Sequence, residues 1–223
     1  MKKGFTLAEV LVSIIVIGVV AAITIPAVSA SYQKTQYVSG LLKAMAVLDN
    51  TNKMLIENKG ARNLQDACSD LGTDYIGCLK DGGMLLTETG VGAKVSKLDK
   101  TGNYDGEGGY TWLTAKDGIS YTKTNTISSS SGALTYYEVA IDVNGNKKGP
   151  NVSAKDVYWV KVVNSGDVVA YGSKMDAELN TLATTLATTW DEDETRCDST
   201  EVKNDKYCAG SIVDNGNKII YKF

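Results

Sequence analysis

Apolar positions are concentrated at the front of this chain. From Phe5 to Ser31 they form an almost unbroken run in which Glu9 is the sole charge. A helix rises about 1.5 Å per residue, so roughly 20 to 25 residues cross a hydrocarbon core of about 30 Å, and this run is long enough. Lys2 and Lys3 precede it. Basic residues tend to stay on the cytoplasmic side, which places the rest of the chain across the membrane. After Pro26 the pattern becomes amphipathic: Tyr37, Leu41, Ala44, Leu48 and Leu55 recur at helical spacing, with Lys34, Lys43, Asp49 and Lys53 between them. The simplest expectation is one helix over residues 5–58, bent or locally melted where Pro26 lacks a backbone donor, and stopped at Asn58-Lys59-Gly60.

Residues 61–109 are rich in glycine and read as an irregular connection with little regular structure. Beyond them, residues 110–113, 119–122, 134–143, 157–163 and 168–171 mix apolar and polar positions with many β-branched and aromatic side chains, as antiparallel strands do. Asn164-Ser165-Gly166-Asp167 suits a hairpin turn between the last two. Asp176 is the expected cap of a helix over residues 177–189, with Leu179, Leu182 and Leu186 on one face. The expected fold class is therefore α+β, a long N-terminal helix packed on an antiparallel β-sheet head. Tyr136, Tyr137, Tyr158 and Trp159 fall on the strands and are expected in the core rather than on a ligand platform.

Composition then narrows the chemistry. The 223 residues carry 23 Lys and Arg against 26 Asp and Glu, a net charge of -3, so general nucleic-acid binding is not expected. The chain has no histidine, which removes the commonest general base, the commonest zinc ligand and every Ser-His or Cys-His nucleophile. No glycine-rich loop has phosphate-binding spacing. The acidic run Asp191-Glu192-Asp193-Glu194 reads as a solvated face. Catalysis therefore has little support, and neither an enzyme nor a cofactor is expected.

The N-terminal run admits two ordinary readings. In one, a secretory signal is cut after Val28-Ser29-Ala30, releasing a disulfide-braced binding module; such signals have apolar cores of about 7 to 15 residues, shorter than this one. In the other the run is a plain anchor, which leaves Glu9 without a role. The ordered series Lys3-Gly4-Phe5-Thr6-Leu7-Ala8-Glu9-Val10-Leu11-Val12, with Pro26 further along, resembles the class III signal of type IV pilins and type II secretion pseudopilins. The resemblance covers residues 1–30. It implies that prepilin peptidase cuts after Gly4 and methylates the new amine of Phe5. Residues 1–4 would then be a leader, 5–30 a transmembrane and assembly helix bent at Pro26, and 31–223 an extracytoplasmic pilin-like head that includes the amphipathic half of the helix. It further implies a structural subunit of a type IV pilus or type II secretion pseudopilus, anchored by a single pass in the bacterial inner membrane. Its partners would be itself and related pilin-like subunits, the peptidase, the inner-membrane assembly platform and membrane lipid. Glu9 would serve filament assembly: a carboxylate in hydrocarbon requires a cation, and the Phe5 amine of a neighbouring subunit supplies one.

Cys68, Cys78, Cys197 and Cys208 form two closely spaced pairs on the side of the membrane where disulfides persist. Oxidation is preferred to a zinc site because the spacings are long and histidine is lacking. Of three possible connectivities, local pairing of Cys68 with Cys78 and Cys197 with Cys208 is expected. Asp142, Asn144 and Asn146 place oxygen donors at every second position, as a calcium loop does. The remaining pattern departs from an EF-hand, with Lys147 at the position of the turn glycine and Ser153 at that of the terminal glutamate. A tight turn without a metal is expected there.

Overall fold

The structure, a computed structural model, describes residues 4, 6–68, 75–81, 86–91, 94–98, 104, 110–122, 126–128, 135–183, 197 and 205–221. Its contacts divide into two compact units, Met1–Gln36 and Tyr37–Phe223. One helix, α1 (Leu7–Lys59), belongs to both and runs without interruption through Pro26.

From Leu7 to Val28, within the first unit, α1 is apolar on nearly every side, and Leu7, Leu11, Ile15, Val19, Ile23 and Val28 are all exposed. Within the second, Val38, Leu41, Ala44, Leu48, Asn52 and Leu55 form a buried stripe at intervals of three and four residues, the spacing of one helical face. The helix ends as anticipated. Gly60 takes φ +61°, a conformation cheap only for glycine, and Gly60 N and Ala61 N donate to the Glu57 and Ile56 carbonyls at 3.0 Å.

The glycine-rich stretch holds more regular structure than expected. Two short helices, α2 (Leu64–Ala67) and α3 (Tyr75–Asp81), are followed by a strand, β1 (Leu86–Val91). Asn63 starts α2 by accepting from Asp66 N at 2.9 Å through its side-chain oxygen. The sheet continues with β2 (Thr111–Ala115), β3 (Ser120–Thr122), β4 (Thr126–Ser128), β5 (Thr135–Asp142), β6 (Val157–Val163) and β7 (Val168–Ala170). The spatial order is β1-β2-β3-β5-β6-β7, with β4 also paired to β5, and every named pair is antiparallel.

The longest pairing, β5 with β6, runs from Tyr136 opposite Val163 to Asp142 opposite Val157. Every residue of β6 is buried. The alternation of a strand explains why so apolar a run is used. Tyr158, Val160 and Val162 join the α1 stripe in the main core, while Val157 and Trp159 join Val95, Trp112 and Ala140 in a second cluster. Tyr137, Tyr158 and Trp159 are core residues, and Tyr136 is half-buried.

Two helices close the chain, α4 (Lys174–Ala183) and α5 (Cys208–Asp214), the latter preceded by a single 3-10 turn at Asp205–Tyr207. The first corrects the expected cap. Asp176 lies inside α4, and Ser173 Oγ accepts from Asp176 N at 3.2 Å in the capping role. The Asp176 carboxylate turns inward instead, 2.7 Å from Lys161 Nζ and 2.8 Å from Gly172 N. The expected reach of this helix to residue 189 falls outside the described residues. The fold is α+β and pilin-like in class, a long N-terminal helix followed by an antiparallel sheet.

Candidate functional site

The first turn of α1 is organised by a reciprocal cap. Thr6 N and Thr6 Oγ1 donate to Glu9 Oε2 at 2.9 and 2.8 Å, and Glu9 N donates back to Thr6 Oγ1 at 3.3 Å. This is the T-x-x-E capping box, in which two donors that the helix itself cannot satisfy are met by side chains. The Thr6-Leu7-Ala8-Glu9 spacing was open to view in the sequence, and Thr6 is a capping partner of Glu9 that the charge argument alone overlooked. Gly4 lies just before the cap. Phe5 lies outside the described residues.

Further along, two hydroxyls in the apolar stretch are spent inside the helix. Ser13 Oγ donates to Glu9 O at 2.7 Å and Thr24 Oγ1 to Val20 O at 2.9 Å. Back-bonding of this kind keeps these two hydroxyl donors from being buried unmet in hydrocarbon. Large apolar side chains with internally satisfied polar groups suit lipid or other helices, and α1 is long and apolar enough to cross a membrane.

In the second unit the cysteines act as braces. Cys68, at the C-terminal end of α2, is bonded to Cys78 of α3 with 5.5 Å between Cα atoms, and both are buried. Cys197 is bonded to Cys208, the first residue of α5, with a Cα separation of 5.1 Å. A polar thread ties α1 to this region: Tyr75 Oη donates to Asn52 Oδ1 at 2.7 Å, and Asn52 Nδ2 donates to Gly166 O in the β6–β7 turn at 2.8 Å. Tyr75 also stacks on Tyr137 with ring centroids 4.8 Å apart.

The connection from β5 to β6 gathers the polar groups of greatest chemical interest. Asp142 Oδ1 accepts from Asn144 N and Gly145 N at 3.1 and 2.9 Å. Asp156 Oδ1 accepts from Val152 N at 2.7 Å, and its Oδ2 accepts from Asn151 N at 2.9 Å and Asn144 Nδ2 at 3.2 Å. Burial, followed by the nearby Asp156 charge, pushes the Asp142 carboxyl up to about 7. Burial also raises Asp156, against the pull of its amide donors. Asn146, the third residue of the alternating series, turns elsewhere, its Oδ1 accepting from Ser120 Oγ at 3.4 Å. Asn151 and Asp156 were not singled out by spacing, because they come from the far end of the loop. Among the described residues no group of three or more His, Cys, Asp or Glu side chains is placed to hold a metal ion. The run Asp191-Glu192-Asp193-Glu194 lies outside the described residues.

Comparison with known proteins adds one finding. Residues 1–25 match the family model of the prokaryotic N-terminal methylation motif. No curated protein and no solved structure matches the chain. The matched segment holds Gly4, the Thr6–Glu9 cap and the beginning of α1, and supports a type IV pilin-like prepilin signal leading into an apolar, anchoring helix.

Proposed function

We propose that the chain is a structural subunit of a type IV pilus or type II secretion pseudopilus, cut after Gly4, methylated on Phe5 and polymerised through α1. The observation that carries the reading is the coincidence of the methylation motif with a helix whose large apolar side chains, among them Leu11, Ile15, Val19 and Ile23, are exposed on all sides. Such a surface is stable only when lipid or neighbouring helices cover it, and a filament subunit needs both in succession. Before assembly the helix is held in the inner membrane, with the head outside. During assembly the same surface packs against copies of itself and related subunits.

Glu9 has a place in both stages. Its carboxylate caps its own helix through Thr6. It also carries the charge that the Phe5 amine of a neighbouring subunit neutralises, which sets the axial register. The two disulfides suit an extracytoplasmic head, where oxidised cysteines persist.

The test is recovery of the chain in the sheared filament fraction of cells that contain prepilin peptidase and an assembly platform. The expected result is filament-associated chain that disappears when either component is deleted. A chain that stays wholly in the membrane fraction with both components present would refute the proposal.

A further inference from the structure

The β2–β3 turn and the β5–β6 connection are held against each other. Gly118 and Gly145 meet there at φ +89° and +91°, and a Cβ on Gly145 would lie 2.5 Å from Gly118 O, so only glycine permits the approach. Hydrogen bonds fix the contact. Ser120 Oγ shares one with Thr114 Oγ1 at 2.8 Å and accepts from Asn146 N at 3.2 Å, while Asn146 O accepts from Asn151 Nδ2 at 3.3 Å. Ser120, Asn146 and Asn151 are buried, so two segments whose linked residues Ser120 and Asn146 lie 26 positions apart form one rigid frame.

The frame borders an open cleft of about 310 Å³, lined by Lys116 from one turn and by Lys147 and Lys148 from the other. All three lysines are exposed, and none of the ion pairs among the described residues includes them. The acids nearby are engaged elsewhere. Asp117, beside Lys116, pairs with Lys43 of α1 at 2.8 Å and accepts from Ile119 N at 3.2 Å. Asp142 and Asp156 are buried and accept from backbone and amide donors, and Lys155, the half-buried lysine next to Asp156 in the chain, does not line the cleft. Three like charges gathered in one cleft of a chain whose net charge is -3 repel one another, and an anion between them relieves the repulsion.

We propose that the cleft between the β2–β3 turn and the β5–β6 connection binds a phosphate group, with Lys116, Lys147 and Lys148 as its counter-charges. An ammonium on a flexible stem meets phosphate as a point charge, whereas a carboxylate is best gripped by the paired donors of arginine, and no arginine lines the cleft. The volume lies at the lower end of ligand pockets, about 300 Å³, and suits a phosphate with a small polar substituent such as glycerol rather than a long polymer. Two sources offer that chemistry, a phospholipid headgroup and a water-soluble phosphate ester. The site lies wholly within the second unit and needs no filament.

The experiment uses the full chain in neutral detergent micelles, in a phosphate-free buffer of low ionic strength, with phosphorus NMR reading the ligand. One arm titrates glycerol phosphate, and the other adds phosphatidylglycerol to the micelle. Saturable binding of one phosphate per chain is expected in at least one arm, with a dissociation constant of about 1 mM or tighter, and added salt should weaken it. At about fivefold for each charge removed, Lys116→Gln should weaken binding about fivefold and the double variant Lys147→Gln, Lys148→Gln about 25-fold. Lys218 is exposed and outside the cleft, so Lys218→Gln should change nothing. Binding of glycerol phosphate shows that a soluble ester suffices, and binding of the lipid alone makes the membrane headgroup the source. No binding in either arm at about ten times the expected constant overturns the proposal. Equal binding of succinate, a dicarboxylate of similar charge, also overturns it, as does an equal loss in Lys218→Gln, because the attraction then belongs to the chain's charge in general and not to this cleft.

Discussion

Replacing Asp176 with alanine leaves the Lys161 ammonium buried without its carboxylate. The side chains of the pair are 5% and 0% exposed, with 2.7 Å between Nζ and Oδ1. Asp176 Oδ2 additionally accepts from Gly172 N at 2.8 Å, so the carboxylate also fixes the turn that leads into α4. Removing one member of a buried ion pair costs about 3 to 5 kcal/mol, mostly as the burden of the charge left behind. The Tyr136 and Tyr171 rings lie 4.8 and 4.4 Å from Nζ and stay in place. Their attraction for the cation, about 0.5 to 2 kcal/mol, is already present in the wild type and limits the damage rather than preventing it. For a domain of about 150 to 250 residues each kcal/mol lowers the midpoint by roughly 2 to 4 °C, so Asp176→Ala should lower it by roughly 6 to 20 °C. The assay is thermal and urea unfolding of the detergent-solubilised chain, followed by tryptophan fluorescence and circular dichroism. The double variant Lys161→Met, Asp176→Leu removes both charges and should recover most of the loss. A cost below about 1 kcal/mol for Asp176→Ala, or a double variant no more stable than the single one, would refute the reasoning.

Glu9→Gln keeps an acceptor for the Thr6 cap but removes the charge, so it should leave membrane anchoring intact and deplete the sheared filament fraction, as read by immunoblot. Thr6→Ala keeps the charge and should leave filament yield close to wild type. Cys68→Ser opens a ring with a sequence separation of 10, and the chain-entropy account puts the loss at about 2.5 to 3 kcal/mol, measurable as a lower urea midpoint. Gly210→Ala would place a Cβ on the Gly172–Ser173 peptide, so despite the gain in helix propensity it should destabilise the head by about 1 to 3 kcal/mol in the same assay.

What could be read in advance was what periodicity governs. The α1 stripe through Leu41, Ala44, Leu48 and Leu55 and the strand over Val157–Val163 follow from side-chain pattern, and the stop at Gly60 from its glycine, whereas the burial of every β6 residue did not. The failures have a common cause, in that a residue's local chemistry was overridden by a partner distant in the chain. Asp176 reads as a cap, yet Lys161 claims it. The clue was a lone lysine in the apolar run Val157–Val163, since a cation buried in a central strand needs an anion nearby. β1 was hidden among glycines, and β4 is only three residues long. Of the alternating Asp142, Asn144 and Asn146, the last bonds to Ser120, while Asn151 and Asp156 join the first two from further along the chain. Only topology brings those two ends together.

The central claim is tested most directly at the mature N-terminus. The chain should be purified from membranes of cells with and without prepilin peptidase, and its intact mass and N-terminal sequence determined. The account predicts a chain beginning at N-methylated Phe5 when the peptidase is present and one that still carries Gly4 when it is absent. A mature chain beginning at Ser31, or one still carrying Gly4 in the presence of the peptidase, would contradict it.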